Sequence, residues 1–465
     1  MNKKKIDMTQ GSIIRNVIMF AIPIVIGNIL QQLYTTVDTL VVGRYCGDAS
    51  LAAVGTSSQP VEVLLCIFLG IGSGVSILIS QRIGAGDEEK VKDIAETATS
   101  FVYMAGVPIA LLGYLGAPVI LKIMGVPENV LDQAVVYTRL VLFGALGNIG
   151  YNMNAGILRG IGDSMASLWF LFVSGISNVI LDLVLVAGLR MDVGGAAMAT
   201  SISMVLSWVT SVIYIKRKYP ELGFTFLPRR IHGDDMKSIL AIGLPVGLNN
   251  SLFSFGHMAM QTLVNAQGYQ FMAGASVAGR LTGITNVAIT AVSAAAATFS
   301  GQNFGAKRFD RLRQGYILIP LINGVVTLVL GLLFISFRMP VLGLFSKDPT
   351  VLMYAGRYAV AIMLSQWCYA VFNSISNIVN GVGFVKYTTV INLMMLWAVR
   401  IPAAYIINRY FDGTFIMLCF PISFVFGMIC MIGYYIFSPS FGEIIGKKES
   451  RTFHGQGIRE MIPAK

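Results

Sequence analysis

The second half of this chain repeats the first in a fixed register, and two copies of one unit constrain the fold more tightly than any single motif does. An offset of 221 residues carries Gln81, Gly84 and Ala85 onto Gln302, Gly305 and Ala306. The same offset carries Val130, Leu131 and Tyr137 onto Val351, Leu352 and Tyr358, Asn152 onto Asn373, and the pair Gly160 and Gly162 onto Gly381 and Gly383. Near the start the register drifts by one residue, so that Pro23 and Asn28 return as Pro245 and Asn250. A register kept through loops and helices alike marks a duplicated unit.

What the unit is made of follows from its solvent. The chain is 55% hydrophobic and 12% charged, with mean hydropathy +0.71, against roughly 25% charged residues in an average soluble domain. It reads as an all-α integral membrane protein. A spanning helix needs about 20 apolar residues, and twelve runs meet that length, six on either side of the basic stretch Lys216 to Lys237. The expected division is a six-helix lobe over 1–217, a linker over 218–236, a second six-helix lobe over 237–438 and a tail over 439–465. Six is even, so each half starts and ends on the same membrane face and the two bundles are parallel repeats about an axis along the membrane normal. Gaps on the N-terminal side carry 24 Lys and Arg against 6 in the opposite gaps, which predicts a multi-pass protein of the cell membrane with both termini and the tail cytoplasmic. The basic start, Met1 to Lys5, runs into an apolar stretch without a small-residue cleavage site and reads as the lead into the first membrane helix.

The formal charge of +11 does not imply nucleic acid, because the basic residues sit between apolar runs rather than on one amphipathic face. The five cysteines lack paired spacing and the histidines, His232, His257 and His454, are scattered, so neither a disulfide framework nor a zinc or haem centre is expected. Gly70, Gly72 and Gly74 lie inside an apolar run and read as close helix packing, not a phosphate loop. No catalytic constellation with a donor site stands out, so the chain is expected not to be an enzyme and to need no cofactor.

Duplication supplies an internal control for each membrane-embedded polar residue. Three carboxylates fall in predicted spans, Asp38, Glu62 and Asp182, and at the same offset the second half has Ala259, Gly283 and Ala403. The later acids Asp310, Asp348 and Asp412 fall in predicted loops. A charge at the bilayer centre costs about 2.5 to 3.5 kcal/mol on insertion scales, so an acid that the scaffold does not require is a functional candidate. The bland alternative is pairing with an intramembrane cation such as Arg139. Counting along the helices brings Asp38, Asn178, Asp182 and Thr200 to one level in the outer leaflet, with Asn178 and Asp182 four apart on one helix face. Carboxylates, an amide oxygen and a hydroxyl are hard ligands for Na+, and two desolvated carboxylates close together can instead hold a proton. Gln31, Tyr34, Glu62 and Asn154 are candidates for a substrate cavity, each of the uncharged three being equally readable as an interhelical hydrogen bond. Pro23 removes a backbone hydrogen bond from the first helix and is the candidate hinge.

These residues resemble the multidrug and toxic compound extrusion (MATE) family along essentially the whole chain, through Pro23, the Gln81-x-x-Gly84-Ala85 and Gln302-x-x-Gly305-Ala306 turns, and the run Leu158-Arg159-Gly160-Ile161-Gly162-Asp163. The acids are similar to those of the DinF-like and MepA-like bacterial branch. That resemblance implies a cation site in the N-terminal lobe at Asp38, Asn178, Asp182 and Thr200, and a central cavity that exchanges amphipathic organic cations for protons or Na+ by alternating access. The expected partners are small organic cations and membrane lipid, with the chain acting as a monomer. Glu62 departs from the apolar or small residue expected there and points to cationic cargo. The alternatives are a lipid-linked oligosaccharide flippase of the related superfamily, for which a more basic cavity is expected, and a membrane-embedded transferase.

Overall fold

The computed structural model describes residues 6–438 except positions 125 and 344, so the expected tail at 439–465 lies outside the described residues. Among the described residues there are helices and no strands. Twelve stretches are long and apolar enough to span a membrane. The chain is a multi-pass membrane protein.

In the first half these are α1 (Ile13–Tyr45), α2 (Asp48–Ala85), α3 (Glu88–Ile123), α4 (Glu128–Ile161), α5 (Ser164–Asp182) and α6 (Asp192–Lys218). In the second half they are α7 (Gly233–Asn265), α8 (Tyr269–Gly305), α9 (Phe309–Ser336), α11 (Pro349–Val382), the composite α12 (Val385–Leu393) with α13 (Ile401–Tyr410), and α14 (Cys419–Phe437). A short α10 (Arg338–Leu342) follows α9. Three spans are not regular throughout: α5 runs into a π-helical segment at Leu183–Gly188, α12 joins α13 through another at Met394–Arg400, and the last span opens with a 3-10 segment at Gly413–Leu418.

The repeated glycines have two separate jobs. Gly162 ends α4 and Gly383 ends α11, each left-handed, with φ 99° and 111°, a conformation that glycine adopts without a Cβ penalty. Gly160 and Gly381 instead allow backbones to meet. A Cβ on Gly160 would run into Ile79 and the Ser76 carbonyl, and one on Gly381 into Ser300 and the Ala297 carbonyl. The glycines of α2 work in the same way, Gly70 and Gly74 lying against Gly247 and Gly243 of α7 and Gly72 against the Asn152 carbonyl. The polar residues of the second half that were expected in loops stand at helix starts: Asp310 is in the first turn of α9, while Asp348 caps α11 by accepting from the amides of Thr350 and Val351.

Within the first half α4 packs against α2, α3 and α6, and α1 against α5; within the second, α11 packs against α8, α9 and α14. The halves meet mainly through α1 and α2 against α7 and α8. That junction is crossed. Ile13, Val17 and Phe20 of α1 belong to the apolar core of the second half, and Met236 and Ile239 of α7 to that of the first.

The segment expected as a linker is docked on the first half. Tyr219, Leu222 and Phe224 are buried in its core, and the Tyr103 hydroxyl donates to the Phe226 carbonyl at 2.7 Å. Asp163, at the start of α5, is fully buried and accepts from Lys218 at 2.6 Å, Tyr214 at 2.9 Å and Tyr219 at 2.8 Å. His232, which looked isolated in the sequence, meets Asp93 and Asp235 with potential ligand atoms within 4.8 Å of one another. Lys90 already lies beside both carboxylates, at 3.2 and 3.6 Å.

Candidate functional site

A cavity of about 640 Å³ is walled mainly by α1, α2, α4, α5 and α6. It is closed at the face where α1 begins. There the Gln81 side chain donates to the Gly381 carbonyl at 2.8 Å, and Gln302 donates to the Gly160 carbonyl at 3.1 Å. These are the same bond in the two repeats, crossed from one half to the other. Gly84 and Gly305 make the crossing possible, because a Cβ on either would strike the carbonyl of Gln302 or Gln81. The N-terminal segment covers the seal, with the Met8 amide donating to Gln302 at 3.0 Å and Asn303 donating to the Met8 carbonyl at 3.0 Å.

Away from the seal, α1 brings Gln31, Tyr34 and Asp38 to the cavity wall, α2 brings Glu62, α5 brings Asn178 and α6 brings Thr200. Asp182 lies one turn beyond Asn178 and is fully buried, at 0% exposure. The Asp38 and Asp182 carboxyl groups are within hydrogen-bonding reach of one another. Asp38 Oδ1, both Asp182 carboxyl oxygens and Asn178 Oδ1 are buried without a hydrogen-bond donor. Buried acceptors are normally paired, and an unmet one costs about 1 to 3 kcal/mol, more when charged. Four unmet oxygens from two helices form an electron-rich pocket. The pocket sits where α5 passes into its π-helical segment, a local widening frequent at functional sites.

Arg139 does not neutralise this pocket. Its Nε donates to the Tyr114 carbonyl at 3.1 Å and its guanidinium lies over the Tyr114 ring. Asn154 does not line the cavity; it is 2% exposed and donates to Ser211 on α6 at 2.7 Å, so its place is an interhelical hydrogen bond. Pro23 does line the cavity, in mid α1. It lies near the end of the segment of α1 that packs on the core of the second half, which runs to Val25, and ahead of the segment that carries Asp38.

Among the cavity residues to which the sequence alone assigns no role are Tyr137 and Arg159. Tyr137 is buried beside both acids, and Arg159 reaches the cavity from the last turn of α4. Tyr137 recurs as Tyr358 and enters the sequence reading only as a mark of the repeat. Arg159 was hidden by its place at a helix end, where a basic residue ordinarily reads as a topology signal.

Twinned helical halves around a polar, membrane-embedded cavity define a membrane transporter. The MatE family pattern matches residues 23–184 and 245–406, one copy in each half, and the chain belongs to that family, the MATE transporters. It is 30% identical over 441 residues to the probable multidrug resistance protein YoeA of Bacillus subtilis, covering 92% of this chain and 95% of that protein. It is 22% identical to the multidrug export protein MepA of Staphylococcus saprophyticus, covering 87% of this chain and 89% of MepA. The fold matches a solved outward-facing multidrug resistance MATE transporter of the MOP superfamily with a TM-score of 0.85 at 22% identity, over 96% of this chain and 100% of that one.

Proposed function

We propose that this transporter is a cation-coupled antiporter that exports amphipathic organic cations by alternating access. The observation that carries the reading is the set of donorless buried oxygens on Asp38, Asn178 and Asp182, of which Asp38 and Asn178 line the cavity that Glu62 also lines. Thr200 borders the same cavity and completes an all-oxygen set suited to Na+. Two facing carboxylates equally suit a shared proton. Acids confined to the first half favour the DinF-like and MepA-like branch, and Glu62 on the cavity wall favours positively charged cargo over the anionic cargo of a flippase.

In the proposed cycle the basic face is cytoplasmic, so the sealed state is the outward-open one. A proton or Na+ arriving from outside binds between Asp38 and Asp182, which relieves their mutual repulsion and draws α1 against α5. Movement of the Asp38 segment about Pro23 narrows the cavity and expels cargo. Reorientation then releases the cation to the cytoplasm. Exchange of one proton or Na+ for one monovalent cationic cargo moves no net charge, so the drive comes from the coupling ion's concentration gradient, about 1.4 kcal/mol and tenfold accumulation for each tenfold of gradient. In proteoliposomes loaded with a cationic dye, an imposed proton or Na+ gradient should drive dye across the membrane, and Asp38→Asn should abolish that drive while dye binding persists. Gradient-driven transport at the unaltered rate in Asp38→Asn would defeat the coupling role.

A further inference from the structure

The second half holds a buried charge of the opposite sign. Arg400 ends the π-helical segment between α12 and α13 and is 1% exposed. Its Nε donates to Ser423 at 2.9 Å, while its Nη2 is buried without an acceptor. The guanidinium lies over three rings, 5.7 Å from the centre of Phe253, 4.8 Å from Phe420 and 5.0 Å from Phe424. The polar groups near it are Tyr358, Tyr369, Cys419 and His257, and among the described residues no carboxylate pairs with it. An arginine is charged at any working pH. A partner for it must come from outside the described residues or the charge stays uncompensated.

Space for that partner is present. Arg400 lines a cavity of about 350 Å³ together with the three phenylalanines and the amides of Gln261, Asn286 and Gln366. At the repeat offset Arg400 corresponds to Val179, the neighbour of Asn178. The place that holds a cation site in one half therefore holds a guanidinium in the other.

We propose that this pocket is an anion subsite for an aromatic carboxylate. The fork of the guanidinium matches the two oxygens of a carboxylate, and the Phe253, Phe420 and Phe424 faces accept a flat apolar body. The volume lies within the range of small-molecule sites. The subsite stands whether or not the chain is an antiporter, because it needs no ion gradient.

The test uses the full chain in lipid nanodiscs titrated with 1-naphthoate, read by calorimetry and by thermal shift, with neutral 1-naphthamide and chloride as comparators. Naphthoate should bind saturably and at least tenfold more tightly than naphthamide, and chloride in tenfold excess should not displace it. Arg400→Met should weaken naphthoate at least tenfold, with Arg400→Lys, which keeps the charge and loses the fork, in between. Equal binding of acid and amide, or undiminished naphthoate binding by a folded Arg400→Met protein, overturns the proposal, and ready displacement by chloride overturns the carboxylate assignment. Should Arg400→Met fail to fold, the comparison of acid with amide on the unaltered protein decides.

Discussion

At the scale of single residues, two buried carboxylates of the first half illustrate opposite uses of one functional group. Asp163 is fully satisfied: Lys218 neutralises it, two tyrosine hydroxyls donate to it, and it also accepts from the Ala166 amide at 3.2 Å to cap α5. Asp182, equally inaccessible, has no donor. The first is architecture, since removing one member of a buried, hydrogen-bonded pair costs about 3 to 5 kcal/mol. Asp163→Ala is expected to lose stability toward that lower figure, seen as a lowered melting temperature in detergent, with any loss of transport matching the loss of folded protein. A variant that melts as the unaltered chain does would show that the Lys218 pairing contributes little. The sequence distinguished the two only in part. Absence of Asp182 from the second half was visible, whereas the ring of donors around Asp163 depends on Lys218 and Tyr219 folding back over α5, a contact across more than 50 residues.

At the scale of helices, α1 has two allegiances. Its first turns, as far as Val25, are anchored in the core of the second half, its later turns meet α5 from Gly27 onward, and Pro23 lies just ahead of the changeover. Proline removes a backbone hydrogen bond from a helix interior, which lowers the cost of bending there. Pro23→Ala restores that bond and is expected to slow transport several-fold while leaving the melting temperature unchanged or raised. Normal turnover in a straightened helix, measured by dye flux, would remove the hinge from the cycle. The proline and its repeat at Pro245 were legible as architecture, and the twelve spans followed from hydropathy. What hydropathy could not reveal was the break inside the eleventh span: Met394–Arg400 is as apolar as its surroundings apart from Arg400, and a widened turn has no sequence period of its own. The same blindness hid the Arg400 pocket, which is assembled from rings on α7 and α14.

At the scale of the whole molecule, closure of one face rests on two equivalent hydrogen bonds and the glycine contacts beside them. An intramolecular hydrogen bond contributes about 1 kcal/mol net, so removing both glutamine amides should shift the balance between sealed and open forms by about 2 kcal/mol, roughly thirtyfold. Gln81→Ala combined with Gln302→Ala is expected to expose Ser300, replaced by cysteine, to a thiol reagent applied from the sealed face. Unchanged labelling would mean that the glycine contacts hold the seal alone. The repeat made Gln81 and Gln302 conspicuous without indicating that each reaches the opposite half, because a register reports equivalence and says nothing about which copy a side chain touches.

The reciprocity of that contact has a further meaning. Gln81 meets Gly381 as Gln302 meets Gly160, which is the geometry of a twofold interface between identical subunits. A lone ancestral half could have closed against a second copy of itself with no new residue at the junction. The carboxylates of one half and the guanidinium of the other break that equivalence, since a pair of identical polypeptides would carry every such charge in both copies. Fusion into one chain is what allowed the two sides to diverge in charge while still fitting together at the lock.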